Sequence, residues 1–161
     1  MARRHGERGV TYLEMVATAG ILLILASAIL PMAKATQQKS KEIELRRALR
    51  ELRGAIDEYK ARCDPAIPIA GDGKKLPPRD PPYPQKLEDL TEGVALMNDV
   101  TGRKMRFLRR LPLDPMTGKA EWGLRCTRDA IDSTSWCGDD IWDVYSKSTG
   151  TALDGTKYHD W

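Results

Sequence analysis

The stretch that most constrains this chain is residues 9–33, GVTYLEMVATAGILLILASAILPMA. A basic octapeptide, MARRHGER, precedes it. From Met15 to Ala33, nineteen residues pass without a charge, close to the ~20 that a helix needs to span a bilayer. The exception to its apolar character is Glu14, a carboxylate at the mouth of the run. Ionisable groups at membrane depth cost roughly 2.5–3.5 kcal/mol at a helix centre and usually mark function. A conventional secretory signal peptide is the competing reading, with Ala26-Ser27-Ala28 or Ala33-Lys34-Ala35 as small-residue cleavage sites. The length of the run and the carboxylate at Glu14 both count against it.

Glu14 stands five residues after Gly9, with Val10 opening the segment between. Gly9, Val10, Thr11, Leu13 and Glu14 together resemble the class III signal of type IV pilins and pseudopilins. Val10 and Tyr12 depart from the commonest residues at their positions. The resemblance implies that a prepilin peptidase cuts between Gly9 and Val10 and methylates the new N-terminus, and that Glu14 serves assembly. It also implies four segments: a leader (1–9), a transmembrane or filament-core helix (10–33), an amphipathic continuation (34–62) and a periplasmic globular head (63–161).

The leader sets the charge balance. Without it the formal charge falls from +3 to +1, so the basic pI says little about nucleic acid, and a nucleic-acid partner is not expected. Arg3, Arg4 and Arg8 instead fit the positive-inside rule. The expected location is therefore a single pass through a bacterial inner membrane, with the leader cytoplasmic and removed and the rest outside. The three cysteines suit such an oxidising compartment.

Leu45, Ala48, Leu49, Leu52, Ala55, Ile56 and Tyr59 recur at the three- and four-residue spacing of one helical face. Neither glycine nor proline interrupts residues 34–45, so one helix from Val10 to about Arg62, ~80 Å long, is predicted. Pro31 lies inside it and removes a hydrogen bond. The pilin resemblance implies a helix break there, with Leu23 to Leu30 losing helicity when subunits pack. Seven prolines between 64 and 84 exclude regular structure and predict a surface loop. A short helix follows around Leu87 and Leu90, extending toward Met97. Ala120 to Cys126 and Ile141 to Tyr145 read as strands, and the four tryptophans, all between 122 and 161, as an aromatic core. The fold class is α+β, a pilin-like arrangement with a small antiparallel sheet.

The runs YPQKLEDL, LPLDPMTGKAEW and DVYSKSTGTALDGTKYHDW resemble the G-type major pseudopilins of type II secretion. That resemblance implies a structural subunit of a short periplasmic filament that helps protein export. Its partners would be further copies, other pseudopilins, the prepilin peptidase and an inner-membrane assembly platform. A type IV pilus pilin, a competence pseudopilin and a membrane-anchored binding protein or enzyme stay open as alternatives.

Cys126 and Cys137 flank a polar loop between the two predicted strands. A hairpin there would bring them within disulfide reach; two unpaired buried thiols are the alternative. Cys63 is left over, whether buried, paired elsewhere or bonded to another subunit. In the tail, Asp154, Asp160 and loop carbonyls offer the hard oxygen donors that suit Ca²⁺, an idea the G-type resemblance strengthens. The alternative is an Asp154-Gly155 turn closed over the core by Tyr158 and Trp161. No catalytic constellation is apparent: the histidines are His5 and His159, and Asp139, Asp140 and Asp143 read as a solvated loop cluster. Arg46, Arg47, Arg50 and Arg53 read as a solvated helix face.

Overall fold

A computed structural model describes residues 9–67, 73–97 and 101–161, with the backbone alone at 27–31. The leader residues 1–8, and Pro68 and Gly71 of the proline-rich loop, lie outside the described residues. Among the described residues the fold is α+β: one long helix, one short α-helix and two small antiparallel sheets.

Helix α1 runs Tyr12–Cys63. Thr11 starts it, accepting the Glu14 amide on its hydroxyl at 3.3 Å, as an N-cap does for one of the four amides without an intrahelical partner. In the single chain, helical backbone continues through Pro31; the break that the resemblance implies belongs to subunits packed in a filament. A proline costs ~3 kcal/mol in a helix interior, but strong helix formers on both sides (Leu22, Leu23, Leu25, Ala26 and Met32, Ala33, Lys34) carry the helix across it.

The chain divides into two compact units, one ending at Gln38 and the other Lys39–Trp161. In the first, large apolar side chains stand in the open. The expected single pass through an inner membrane, with residues 63–161 periplasmic, is corrected. Among the described residues no helix is long and apolar enough to cross a membrane. Ala17, Thr18, Ala19 and Gly20 dilute the apolar run that opens at Met15.

In the second unit the predicted stripe is the core. Leu45, Ala48, Leu49, Leu52, Ala55, Ile56 and Tyr59 are all buried, with Leu76, Tyr83, Leu87, Leu90, Trp122, Ile141, Val144 and Tyr158 in the same cluster. The short helix, α2 (Glu88–Glu92), stops at Gly93 instead of reaching Met97. Gly93 has φ +84°, and a Cβ there would strike the Met105 carbonyl. The chain then enters β1 (Val94–Ala95), antiparallel to β2 (Lys104–Met105). The second sheet pairs β3 (Trp122–Arg125) with β4 (Asp143–Ser146), Trp122 opposite Ser146 and Arg125 opposite Asp143. Gly123 faces Tyr145, whose ring fills the space a side chain would need.

The expected tryptophan core is only partly present. Trp122 is buried and donates its indole N–H to the Pro112 carbonyl at 3.0 Å. Trp136 and Trp142 are exposed. Tyrosines supply most of the buried aromatic surface, with Tyr59 packed against Phe107 at 5.4 Å.

Candidate functional site

The N-terminal segment concentrates the residues singled out by the sequence. Gly9 and Val10 precede the helix and are exposed, and Glu14 is exposed in its first turn. Thr11-Tyr12-Leu13-Glu14 also has the T-x-x-E spacing of a capping box. Glu14 thus has a local role, an acid near the positive end of a helix dipole, beside any role in assembly. The sequence carried that signal in plain view. Beyond Glu14, Leu13, Met15, Val16, Ile21, Leu22, Leu23, Ile24 and Leu25 are between 54 and 80 % exposed. At 3.6 residues per turn, these positions cover the whole circumference of the helix. An ordinary surface helix shows one apolar stripe; this segment shows apolar surface on every side.

The tail is built around α1. The Asp154-Gly155 turn closes through the Ala152 amide on the Thr156 carbonyl, with Gly155 at φ +87°. Tyr158 is buried, stacks edge-on against Trp161 at 5.3 Å, and donates its hydroxyl to Glu42 of the helix at 2.9 Å. The Leu153 amide donates to the same Glu42 oxygen at 2.9 Å. Asp154 and Asp160 are otherwise engaged. Asp154 accepts the Thr156 hydroxyl at 2.6 Å and amide at 3.0 Å and pairs with Arg46 at 3.4 Å. The Thr156 hydroxyl and amide, and then Arg46, hold its carboxyl below the usual carboxylate range. Asp160 meets the His159 ring at 3.1 Å.

Arg46, Arg47 and Arg50 are exposed, as expected of a solvated face, and Arg53 departs from it. Arg46 stacks over Trp161 at 4.2 Å. Arg53 forks onto Asp143, at 2.6 and 3.3 Å, and donates to the main-chain oxygens of Val144 at 3.1 Å and Trp161 at 2.9 Å. Helix, sheet and tail therefore meet on one guanidinium. Arg125, buried on β3, pairs with Asp143 from the other side at 3.6 Å, donates to the Ser133 and His159 carbonyls, and lies over the Tyr145 ring. Glu42, Arg53 and Arg125 carry no local spacing signal, because their partners are remote in sequence; the buried Asp114 sits in a local turn, accepting the Met116 amide at 2.8 Å, and also accepts the Ser146 hydroxyl at 2.7 Å.

Cys126 and Cys137 form the expected disulfide, with Cα atoms 6.1 Å apart. It closes the loop that joins β3 to β4. The acid cluster beside it is corrected in part. Asp139 is exposed and pairs with Arg128, but Asp140 is buried and accepts the Thr127 amide at 3.1 Å, and Asp143 lies between two arginines. Among the described residues, Cys126, Cys137 and Asp140 are the group of three potential metal donors. Asp154 and Asp160 are not brought into such a group. Cys63 is free and buried, its thiol donating to the Pro77 carbonyl at 3.2 Å, and burial pushes its pKa up.

Compared with known protein families, curated proteins and solved structures, the chain matches none.

Proposed function

We propose that this chain is a structural filament subunit of the pseudopilin type, with a pilin-like fold, whose filament helps protein export. Its working surface is the helix from Val10 to Ala33, freed by cleavage after Gly9 and packed against the same helix of neighbouring copies. The observation that carries this reading is the apolar exposure around the full circumference of α1 from Leu13 to Leu25. One docking partner would cover one side only. A filament core surrounds the helix with copies of itself, and each Leu or Ile withdrawn from water contributes ~1.5–3 kcal/mol when fully buried.

Glu14 then sets the stagger. Cleavage creates an amine at Val10, at the positive end of its own helix dipole, where a cation is disfavoured. A neighbour's Glu14 can neutralise it. The correct stagger joins the opposite charges, and a wrong one leaves both unpaired in an apolar setting, where breaking a buried pair costs ~3–5 kcal/mol. The working chemistry of this reading is assembly.

The experiment expresses the full chain with an assembly machinery and measures intact mass and sheared filament yield. The expected product starts at Val10 and sediments as filaments. Glu14→Gln retains the capping-box geometry and removes the charge, so it should be cleaved normally yet yield few filaments. A chain starting at Ser27, Ile29 or Thr36 would overturn the cleavage reading, and a Val10-starting chain that stays monomeric would overturn the filament. Equal yield for wild type and Glu14→Gln would remove the charge from the mechanism.

A further inference from the structure

The loop joining β3 to β4 brings three potential metal donors together. The sulfurs of Cys126 and Cys137 and a carboxylate oxygen of Asp140 all lie within 4.8 Å of one another. Cys126 is 0 % and Asp140 2 % exposed, while Cys137 faces solvent. Contacts independent of the S–S bond fix their surroundings. The Asp129 carboxylate accepts the Cys126 amide at 2.8 Å, Thr127 donates its amide to the Asp140 carboxylate, and the Trp136 indole donates to the Asp140 carbonyl at 2.8 Å. The Trp142 amide closes the base of the loop on the Arg125 carbonyl at 2.8 Å. Asp140 also lines an open cleft of about 520 Å³, in which Asp80 and Asp139 are offset by Arg79 and Arg128. The cleft gives an ion a solvent route to a buried carboxylate flanked by two sulfurs.

We propose that the reduced form of this loop binds a thiophilic divalent cation of the Zn²⁺ class, through the Cys126 and Cys137 thiolates and the Asp140 carboxylate. Two thiolates and a carboxylate are ligands of four-coordinate zinc, and an open fourth position takes solvent. Zn–S bonds of ~2.3 Å and Zn–O bonds of ~2.0 Å place tetrahedral donors about 3.5–3.8 Å apart. Once the S–S bond is broken, the Asp140 oxygen, within 4.8 Å of both sulfurs, needs a shift of only about 1 Å to reach that spacing. Thr127 holds the ligating carboxylate from outside, as outer-shell donors do in zinc sites.

Disulfide and metal exclude each other, and an external dithiol moves the loop between them. One dithiol sulfur attacks the exposed Cys137 sulfur, breaking the S–S bond and releasing Cys126 as thiolate. The second dithiol sulfur attacks the mixed disulfide, releases the Cys137 thiolate and leaves the reagent as a cyclic disulfide. Two electrons have entered the protein, and both thiolates take protons from solvent. Metal binding then displaces those protons, up to two per ion.

The test uses the full chain carrying Cys63→Ser, reduced with dithiothreitol, desalted without oxygen and titrated with Co²⁺. One equivalent should generate a thiolate-to-cobalt charge-transfer band that Zn²⁺ abolishes, and Zn²⁺ binding should release close to two protons. The oxidised chain should give no band. Cys137→Ser should remove it. Asp140→Asn, which keeps an oxygen acceptor for the Thr127 amide, should weaken affinity 10- to 100-fold. Absence of the band in the reduced chain, its survival in Cys137→Ser, or unchanged affinity in Asp140→Asn would each overturn the proposal. The proton count, read without any ligand substitution, overturns it independently if binding releases none.

Discussion

Replacing Arg53 by alanine tests whether the head is held from one point. Arg53 makes two contacts with the Asp143 carboxylate and one each with the Val144 and Trp161 main-chain oxygens. Hydrogen bonds to charged groups contribute ~1.5–3 kcal/mol and neutral ones ~0.5–1.5. That sum must be discounted, because the Arg53 side chain is 37 % exposed and solvent screens it. Asp143 also keeps Arg125, at 3.6 Å. The net loss for Arg53→Ala is therefore roughly 2–3 kcal/mol. For a domain of this size each kcal/mol moves Tm by about 3–5 °C, so Tm should fall by roughly 6–15 °C. Thermal unfolding of the full chain, followed by tyrosine and tryptophan signals, reads this directly. Arg53→Lys keeps the charge without the fork and should recover no more than about half of the loss. Arg50→Ala, exposed one turn earlier, should stay within ~0.5 kcal/mol of wild type. If Arg53→Ala and Arg50→Ala melt together, the clamp contributes nothing and the apolar stripe alone holds the head.

Tyr158→Phe should cost roughly 1–2 kcal/mol, because it strips a hydroxyl donor from the buried Glu42 carboxylate; denaturant unfolding measures it. Stability should hold steady up to about pH 9 and fall above it. Burial raises the Cys63 and Tyr59 pKa above their ordinary values of 9.0 and 10.0, so the unfolded chain loses protons first and unfolding is favoured as pH rises. Cys63→Ala should remove the earlier part of that fall, and a flat profile to pH 11 would refute the assignment. In the native chain Cys63 should resist thiol reagents that label it once the protein unfolds. Chelator should leave the melting temperature unchanged, since Thr156 and Arg46 already serve the Asp154 carboxylate. A calcium-dependent rise that Asp154→Ala abolishes would show an ion displacing Arg46.

What was legible in the sequence was what repeats locally. The three- and four-residue spacing from Leu45 to Tyr59 marks the buried face residue for residue, since helix geometry alone decides which side chains share a side. The strands around Trp122 and Val144, and the Cys126–Cys137 pair, follow from apolar runs flanking a polar loop. Arg53 and Arg125 were illegible because charge spacing on a helix or strand cannot say which distant acid will lie opposite. Asp140 and Asp143 read as solvated for the same reason. Trp136 and Trp142 misled because aromatic size suggests burial, whereas an indole satisfied by one carbonyl, as Trp136 is by Asp140, can stay largely in water. Glu14 shows the opposite failure: one strong motif drew attention from the N-cap that Thr11 makes to its amide.

The contacts that finish the head join positions far apart in the chain: Tyr158 to Glu42 across 116 residues and Arg53 to the Trp161 oxygen across 108. A ribosome releases α1 long before it makes the tail, at roughly 5–20 residues per second. During that interval the buried face of α1 has no β3–β4 sheet to cover it, and two-stranded sheets are marginal without something to pack against. Folding of the head is therefore expected to complete late, as residues 158–161 join Glu42 and Arg53 in contacts of high sequence separation, leaving the newborn helix dependent until then on whatever else can shield its leucines.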